Sequence, residues 1–189
     1  MAAKVPLIVL SGPSGAGKTT VVDALLRESK WPLRRGITAT SREPRPGEVD
    51  DRDYHFWSVD RFKKAIADGA MLEHAMVHTD YYGTPRSEVD GYREKGVGVI
   101  LVIDVQGAAH VRDLYPGDHC SIFLTVPQTG MLRDRLEYRG DSEAKILTRL
   151  ATAERELLRV GEFDHVVVND DLPTAIRDLT KIIEPLFAN

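Results

Sequence analysis

The sequence has few features of a secreted, membrane-spanning or cysteine-rich protein. Among its 189 residues there is one cysteine, Cys120, which excludes an internal disulfide framework and a cysteine-rich metal site. It lies in an apolar stretch, so we expect a buried core thiol. No apolar run approaches membrane-spanning length, and the segment before the first apolar run does not resemble a signal peptide. We therefore expect a soluble, cytoplasmic protein without a membrane partner.

An excess of charge of one sign is also missing. The formal net charge is −4, with 25 basic and 29 acidic residues spread along the chain. Proteins that bind nucleic acids nonspecifically usually carry a strong basic excess, so we expect no nucleic-acid partner. The length suits one compact α/β domain with small insertions better than two large domains.

Residues 11–20, SGPSGAGKTT, form a complete phosphate-binding loop directly after the apolar run 5–10. In such a loop the glycines allow backbone N–H groups to converge on a phosphate, and the following helix points its positive end at the anion. Lys18 would bridge the β- and γ-phosphates, and Thr19 would offer its hydroxyl to Mg²⁺. The alternative is a glycine-rich turn without a chemical role. The loop therefore predicts a site for a nucleoside triphosphate, formed by Gly12, Pro13, Ser14, Gly15, Ala16, Gly17, Lys18, Thr19 and Thr20.

Strand and helix signals alternate along the chain, as is typical of a parallel sheet covered by helices. The predicted strands are 5–10, 97–103, 120–126 and 164–168, and the predicted helices are 17–29, 106–114, 128–138, 142–160 and 172–187. Residues 34–90 interrupt this rhythm with short β-like pieces around a helix at about 59–68. We interpret 34–90 as an inserted acceptor-binding lobe, 1–33 and 91–189 as the core domain, and 133–149 as a mobile lid.

The inserted segment contains two arginines, Arg42 and Arg45, on a stretch broken by prolines and a glycine. Such a stretch cannot form one regular helix, so a stiff turn would hold both guanidinium groups towards one anion. Thr38 and Tyr54 can add hydroxyl donors, and a phosphate dianion is the predicted guest. The alternative is a solvated charged loop, because acidic and basic residues are equally frequent here.

Carboxylates interrupt two apolar segments further on. Glu73 lies within the run 71–77, and Asp104 follows the predicted strand 97–103 at its carboxyl end, where ligands of open α/β sheets collect. A carboxylate that becomes buried must find donors. Guanine supplies them through N1–H and its 2-amino group, while its O6 can accept from a hydroxyl such as that of Thr84. The alternatives are that Glu73 is a paired surface charge and that Tyr81 or Tyr82, which precede Thr84, are simply core residues.

The motifs, and their order along the chain, resemble those of the guanylate kinase family over essentially the whole chain. The matching pieces are SGPSGAGKT, TATSREPRPGE-x5-Y, LEHA-x5-YYGT, IDVQG, RLEYRG and VVVNDD. The resemblance implies an α/β fold: a P-loop parallel sheet flanked by helices, with an inserted mixed β/α GMP-binding lobe and a helical lid. It also implies the reaction ATP + GMP ⇌ ADP + GDP with Mg²⁺ as cofactor. It leaves open whether dGMP also serves and whether the protein is a monomer or a homo-oligomer.

The resemblance also implies roles for individual residues. The GMP site would comprise Thr38, Arg42, Arg45, Glu48, Tyr54 and Tyr82 around the phosphate, with Glu73, Thr84 and Asp104 around guanine. The lid arginines Arg135, Arg139 and Arg149 would act with Lys18 as catalytic residues at the transferring group. Asn169 would lie near the ATP nucleoside, and Thr19 would bind Mg²⁺ together with nucleotide phosphates and water.

Three positions depart from the family pattern. Thr38 replaces a common serine, Val102 stands where the frequent Asp-Ile-Asp begins, and the loop between Arg139 and Arg149 is one residue shorter than in many relatives. Three other functions stay open at this point. The first is an inactive interaction module, which conflicts with the intact phosphate loop and the lid arginines. The second is another small-molecule kinase, which would lack the guanine-binding residues Glu73, Thr84 and Asp104. A nonspecific hydrolase of nucleoside triphosphates is the third.

Overall fold

The computed structural model describes residues 5–77, 79–138 and 140–188. The strands in these ranges are β1 (Leu7–Ser11), β2 (Leu33–Arg35), β3 (Ala39–Thr40), β4 (His55–Phe56), β5 (Met71–Val77), β6 (Asp80–Pro85), β7 (Gly98–Val102), β8 (Cys120–Thr125) and β9 (His165–Val168). The α-helices are α1 (Lys18–Glu28), α2 (Val59–Ala67), α3 (Asp90–Arg93), α4 (Val105–Leu114), α5 (Gly130–Tyr138), α6 (Glu143–Leu157) and α7 (Leu172–Ile183). Short 3₁₀ helices cover Arg86–Glu88, Val160–Glu162 and Glu184–Phe187.

The strands form two sheets in the described ranges. The larger has the order β2-β7-β1-β8-β9, and its pairs β2–β7 and β8–β9 are parallel. Strands β1, β7 and β8 are almost wholly buried, which explains why they appear in the sequence as continuous apolar runs. The smaller sheet, ordered β4-β3-β6-β5, is mixed: β3 pairs parallel with β4 and antiparallel with β6.

The chain divides into two compact units. The first contains the residues up to Val9 together with Pro32–His119, and the second contains Leu10–Trp31 and the residues from Cys120 onwards. In the first unit, Phe62 of α2 packs with Ala39 and Met71 under the smaller sheet. In the second, α1 packs against α7. The domain boundaries expected from the sequence stay a prediction.

The apolar periodicity predicted most elements, but the end of α7 differs, and strand β2 and the short helix α3 were not predicted. The helix predicted over 172–187 is α-helical only to Ile183, because Pro185 has no N–H to continue the pattern and the chain tightens into a 3₁₀ turn. Strand β2 was missed, since its Leu-Arg-Arg sequence is not an apolar run. Cys120 is buried, as expected. Across the described ranges, no helix is long and apolar enough to span a bilayer.

Candidate active site

The phosphate-binding loop joins β1 to α1 with the geometry that its glycines allow. Gly12 and Gly17 have φ angles of 137° and 90°, in the region that residues with a Cβ rarely adopt. A Cβ on Gly12 would lie 2.0 Å from the carbonyl oxygen of Leu124, and a Cβ on Gly17 would lie 2.6 Å from Asn169 Nδ2. The N-cap of α1 is Gly17, which has no side chain that could cap the first turn, and the N–H groups of such a turn are suited to bind an anion.

Three side chains from different parts of the second unit hold the carbonyl groups of this loop. Lys18 Nζ donates to the carbonyl oxygens of Gly12 and Pro13. Arg135 on α5 donates to Ala16 O at 3.2 Å and to Asn169 O at 3.0 Å, while Asn169 Nδ2 donates to Ala16 O at 2.7 Å. The structure thus brings the predicted residues Lys18, Arg135 and Asn169 together at the loop. Both hydroxyl residues that follow, Thr19 and Thr20, are exposed.

The arginines of the predicted lid have different partners in the structure. Arg149 on α6 forms an ion pair with Asp141, with 3.0 Å between Nη1 and Oδ2. Arg139 lies outside the described residues. The structure describes two of the three predicted lid arginines. Arg135 contacts the phosphate-binding loop, whereas Arg149 pairs with Asp141.

In the first unit, Arg42 is the centre of a compact cluster. Glu48 accepts two hydrogen bonds from its guanidinium group, at 2.6 and 2.7 Å. The guanidinium carbon lies 4.9 Å from the centre of the Tyr54 ring, and Tyr54 meets Tyr82 edge to face at 6.2 Å. The hydrogen bonds with Glu48 raise the pKa of Arg42 and lower that of Glu48. Glu48 therefore fixes the plane of the Arg42 fork.

The other two predicted phosphate ligands lie at the ends of this cluster. Arg45 is exposed on the predicted turn, where its N–H donates to Glu48 Oε2 at 2.8 Å. Gly47 completes that turn with a φ of 88°. Thr38 is half-buried just before β3, and its carbonyl group accepts from the N–H of His55. The turn holds Arg42 and Arg45 differently: one guanidinium group is locked by Glu48 and the other side chain is exposed.

The predicted guanine-reading residues meet between two strands and a helix. Glu73 on β5 and Thr84 on β6 are opposite each other in the antiparallel ladder, and Thr84 Oγ1 donates to Glu73 Oε1 at 2.6 Å. Glu73 is 6% exposed and Thr84 is fully buried. Burial raises the pKa of Glu73 to about 7, and the Asp104 charge adds to this rise although the Thr84 hydrogen bond opposes it.

Asp104 lies at the junction of β7 and α4. Its Oδ1 accepts from the N–H of Gly107 at 2.8 Å, so it is the N-cap of that helix. The sequence predicted its position at the end of a strand but not this cap. In the same helix, Gly107 faces the Glu73 carboxylate: a Cβ placed on Gly107 would lie 2.9 Å from Glu73 Oε2.

Comparisons with known proteins agree on one family. The model of the guanylate kinase family matches residues 4–186. The chain is 45% identical over 179 residues to a guanylate kinase of Latilactobacillus sakei, an alignment that covers 94% of this chain and 88% of that protein. It is 44% identical over 178 residues to a guanylate kinase of Caldanaerobacter subterraneus, with 94% and 85% covered. The crystal structure of guanylate kinase from Anaplasma phagocytophilum is similar with a TM-score of 0.81 and 28% identity, covering 98% of this chain and 87% of that one.

The chain belongs to the guanylate kinase family. This confirms the resemblance drawn from the sequence motifs and the predicted fold class, a parallel α/β sheet flanked by helices with an inserted mixed lobe. The roles given to individual residues stay predictions, because the comparisons assign none of them.

One buried network of this guanylate kinase family member was not foreseen. Glu88, in the 3₁₀ turn after β6, accepts from Arg34 at 2.8 Å and from the N–H of Ile37 at 2.9 Å, and its Oε1 lies 3.2 Å from His55 Nε2. Burial alone would raise the pKa of Glu88, but these three donors outweigh it and lower the pKa to about 2. Glu88 stands in a polar stretch of the sequence, so nothing in the local pattern predicts its burial.

Proposed function

We propose that this protein transfers the γ-phosphoryl group of ATP to GMP, giving ADP and GDP. The observation that carries the substrate assignment is the buried pair of Glu73 and Thr84 beside Asp104. A buried carboxylate that has only Thr84 as hydrogen-bond donor among the described residues and lies near the charge of a second carboxylate favours a ligand with two adjacent N–H donors, as guanine has. The complete phosphate loop and the family membership support ATP as donor.

The second unit would bind ATP. The N–H groups at the start of α1 and the Lys18 ammonium would meet the β- and γ-phosphates, with Lys18 leaving the loop carbonyls that it contacts now. Thr19 exposes a hydroxyl at that point, and no cluster of three acidic, histidine or cysteine residues within the described residues offers a separate metal site. One hydroxyl with phosphate and water oxygens suits Mg²⁺, which would neutralise phosphate charge there.

The first unit would bind GMP at two points. Arg42, with its fork fixed by Glu48, would take the phosphate, with Tyr54 and Tyr82 adding hydroxyl donors. Arg45 and Thr38 would complete this set from the exposed turn and the start of β3. The 5′-phosphate is a dianion near neutral pH, so an arginine fork matches both its charge and its geometry.

At the base, ionised Glu73 would accept from N1–H and the 2-amino group of guanine. Thr84 now gives its hydroxyl hydrogen to Glu73, so it would donate to guanine O6 only by turning away from that carboxylate. Guanine would then replace the Thr84 hydrogen bond with two donors of its own. Adenine has an acceptor at N1 and no 2-amino group, so it would leave Glu73 buried against a lone pair.

The chemistry needs positioning and charge more than a base. A phosphate oxygen of GMP is already a nucleophile, so the protein has to align it with the γ-phosphorus and stabilise the charge on the transferring group. Lys18 and the arginines Arg135, Arg139 and Arg149 would provide that charge. Because water could also accept the phosphoryl group, we expect GMP binding to drive closure of the lid.

The test is ADP formation from ATP and Mg²⁺ with GMP, dGMP, IMP, AMP, CMP or UMP as acceptor. We expect GMP to be used best and AMP about 10⁴-fold less well in kcat/KM, with IMP between them. Lys18→Ala, folded as judged by circular dichroism, should lower kcat by about 10²-fold or more and control for a contaminating kinase. ADP formation without any acceptor would indicate a hydrolase, no turnover at all would indicate an interaction module, and comparable use of AMP and GMP would overturn the guanine site.

A further inference from the structure

Gly107 occupies a helical position that does not itself require glycine. It is the third residue of α4 and its backbone is right-handed, because it is absent from the residues with positive φ in the described ranges. Glycine is a poor helix former at such a position, and alanine is a better one. The requirement for glycine therefore comes from the surroundings of its missing side chain.

Those surroundings are the carboxylate of Glu73. A Cβ on Gly107 would lie 2.9 Å from Glu73 Oε2 and 3.3 Å from Glu73 Cδ, closer than carbon normally approaches these atoms. It would also come within 3.3 Å of Ile103 Cδ1. A methyl group at position 107 thus cannot be added while the Glu73 carboxylate stays where it is.

The carboxylate is held on its other side. Thr84 Oγ1 donates to Oε1 at 2.6 Å, and both side chains are buried, so Glu73 cannot swing into solvent. A methyl group at position 107 would push Oε2 away, which either strains the Thr84 hydrogen bond or turns the plane of the carboxylate. Either change moves the acceptor atoms that guanine would meet.

We propose that Gly107 is a specificity-determining position: its lack of a side chain fixes where the Glu73 carboxylate presents its oxygens to the acceptor base. This inference rests on the proposed guanine-reading role of Glu73. Gly107 is a positioning residue, because it determines where the Glu73 carboxylate can lie and does not itself contact the base. Its N–H also holds Asp104 Oδ1 at 2.8 Å, and an alanine at this position would keep that hydrogen bond.

The test compares Gly107→Ala with Gly91→Ala. Gly91 lies on the helix α3 in the same unit, and a Cβ placed there meets nothing within 4 Å. We expect Gly107→Ala to melt close to the wild-type temperature and to raise KM for GMP about tenfold, with KM for ATP within about twofold. The preference for GMP over IMP in kcat/KM should fall about fivefold, because a turned carboxylate gains less from the 2-amino group. Gly91→Ala should leave both KM values and the preference for GMP over IMP unchanged, with a melting temperature equal to or slightly above that of the wild type.

A double-mutant cycle separates positioning from general disturbance. If Gly107 acts through the carboxylate of Glu73, adding Gly107→Ala to a Glu73→Gln variant should raise KM for GMP much less than it does in the wild type. An equal rise in both backgrounds, an unchanged KM for GMP, an equal rise in KM for ATP, or a variant that does not fold would each overturn the proposal. Wild-type turnover of GMP is measured alongside: if it is absent, the proposed function fails, and if it is present, only the role of Gly107 is at stake.

Discussion

Glu73 and Glu88 are two buried carboxylates in the same unit, and their surroundings are opposite. They are 6% and 9% exposed. Glu88 meets Arg34, His55 and the N–H of Ile37, which hold its pKa at about 2. Within the part of the chain that the structure describes, Glu73 is hydrogen-bonded only by the hydroxyl group and the backbone of Thr84 and lies near the charge of Asp104, and burial raises its pKa to about 7.

If our proposal for Glu73 is correct, this difference separates a structural carboxylate from one that binds the substrate. The donors around Glu88 compensate the loss of water, so its charge ties β2, β4 and the turn after β6 together. The surroundings of Glu73 compensate its charge poorly, and a ligand with N–H donors would supply what is missing. A poorly compensated buried charge lowers stability and raises the selectivity for the ligand that satisfies it.

The largest effect expected from this comparison is on catalysis. Glu73→Gln keeps the shape of the side chain but removes the charge that accepts from guanine. We expect kcat/KM for GMP to fall about 10²–10³-fold and the gap between GMP and IMP to narrow. Steady-state assays with both acceptors measure this, with Glu88→Gln as the matched buried control. An unaltered GMP/IMP ratio in Glu73→Gln would remove Glu73 from the guanine site.

The next effect is on stability, and it belongs to the other carboxylate. Glu88→Gln would leave Arg34 and His55 facing a neutral amide, so we expect the free energy of unfolding to fall by about 3 kcal/mol at pH 7. KM for GMP should change little in the folded fraction. Urea unfolding measures the loss, and Glu94→Gln, at an exposed position, is the control. If the free energy of unfolding falls more in Glu73→Gln than in Glu88→Gln, Glu73 rather than Glu88 is the carboxylate that stabilises the fold.

A slightly smaller effect is the pH dependence of stability that Glu73 causes. Its pKa is about 7 in the folded protein against an ordinary 4.5, so the folded state binds the proton more tightly. Stability from this group is therefore fully present below about pH 4.5 and is lost as the pH rises through 7. Relative to Glu73→Gln, the wild type should lose roughly 2.5 kcal/mol between pH 5 and pH 8. Urea unfolding of both proteins across this range measures the loss. If the difference in the free energy of unfolding between wild type and Glu73→Gln does not change with pH, Glu73 is ionised throughout and the prediction is wrong.

The sequence predicted the fold where burial leaves a strong pattern. Burial produces the apolar runs of β1, β7 and β8 and the periodicity of α7. Strand β2 was not predicted, because two of its three residues are arginines. Local patterns do not encode partners that are distant in the chain. The contact of Glu88 with Arg34, 54 residues away, is of this kind.

The site was predictable in residue types more than in contacts. The phosphate loop motif predicted the positions of Lys18 and of Gly12 and Gly17, because a short motif contains its own geometry. The pairing of Glu73 with Thr84 depends on the register of two antiparallel strands, and the approach of Gly107 to Glu73 depends on how α4 packs on β5. Neither can be read from spacing alone.

The role of Glu73 in binding guanine can be tested by asking whether GMP binding releases a proton from this residue. If the pKa of Glu73 is about 7 in the free protein and guanine N–H donors favour the carboxylate, binding at pH 7 should release about half a proton from this group. Titration calorimetry of GMP in buffers with different ionisation enthalpies measures the number, and the Glu73→Gln variant subtracts the contribution of the GMP phosphate. We predict that the wild type releases about half a proton more than Glu73→Gln, and that its GMP affinity weakens as the pH falls below 7. Equal proton release by the two proteins would contradict it.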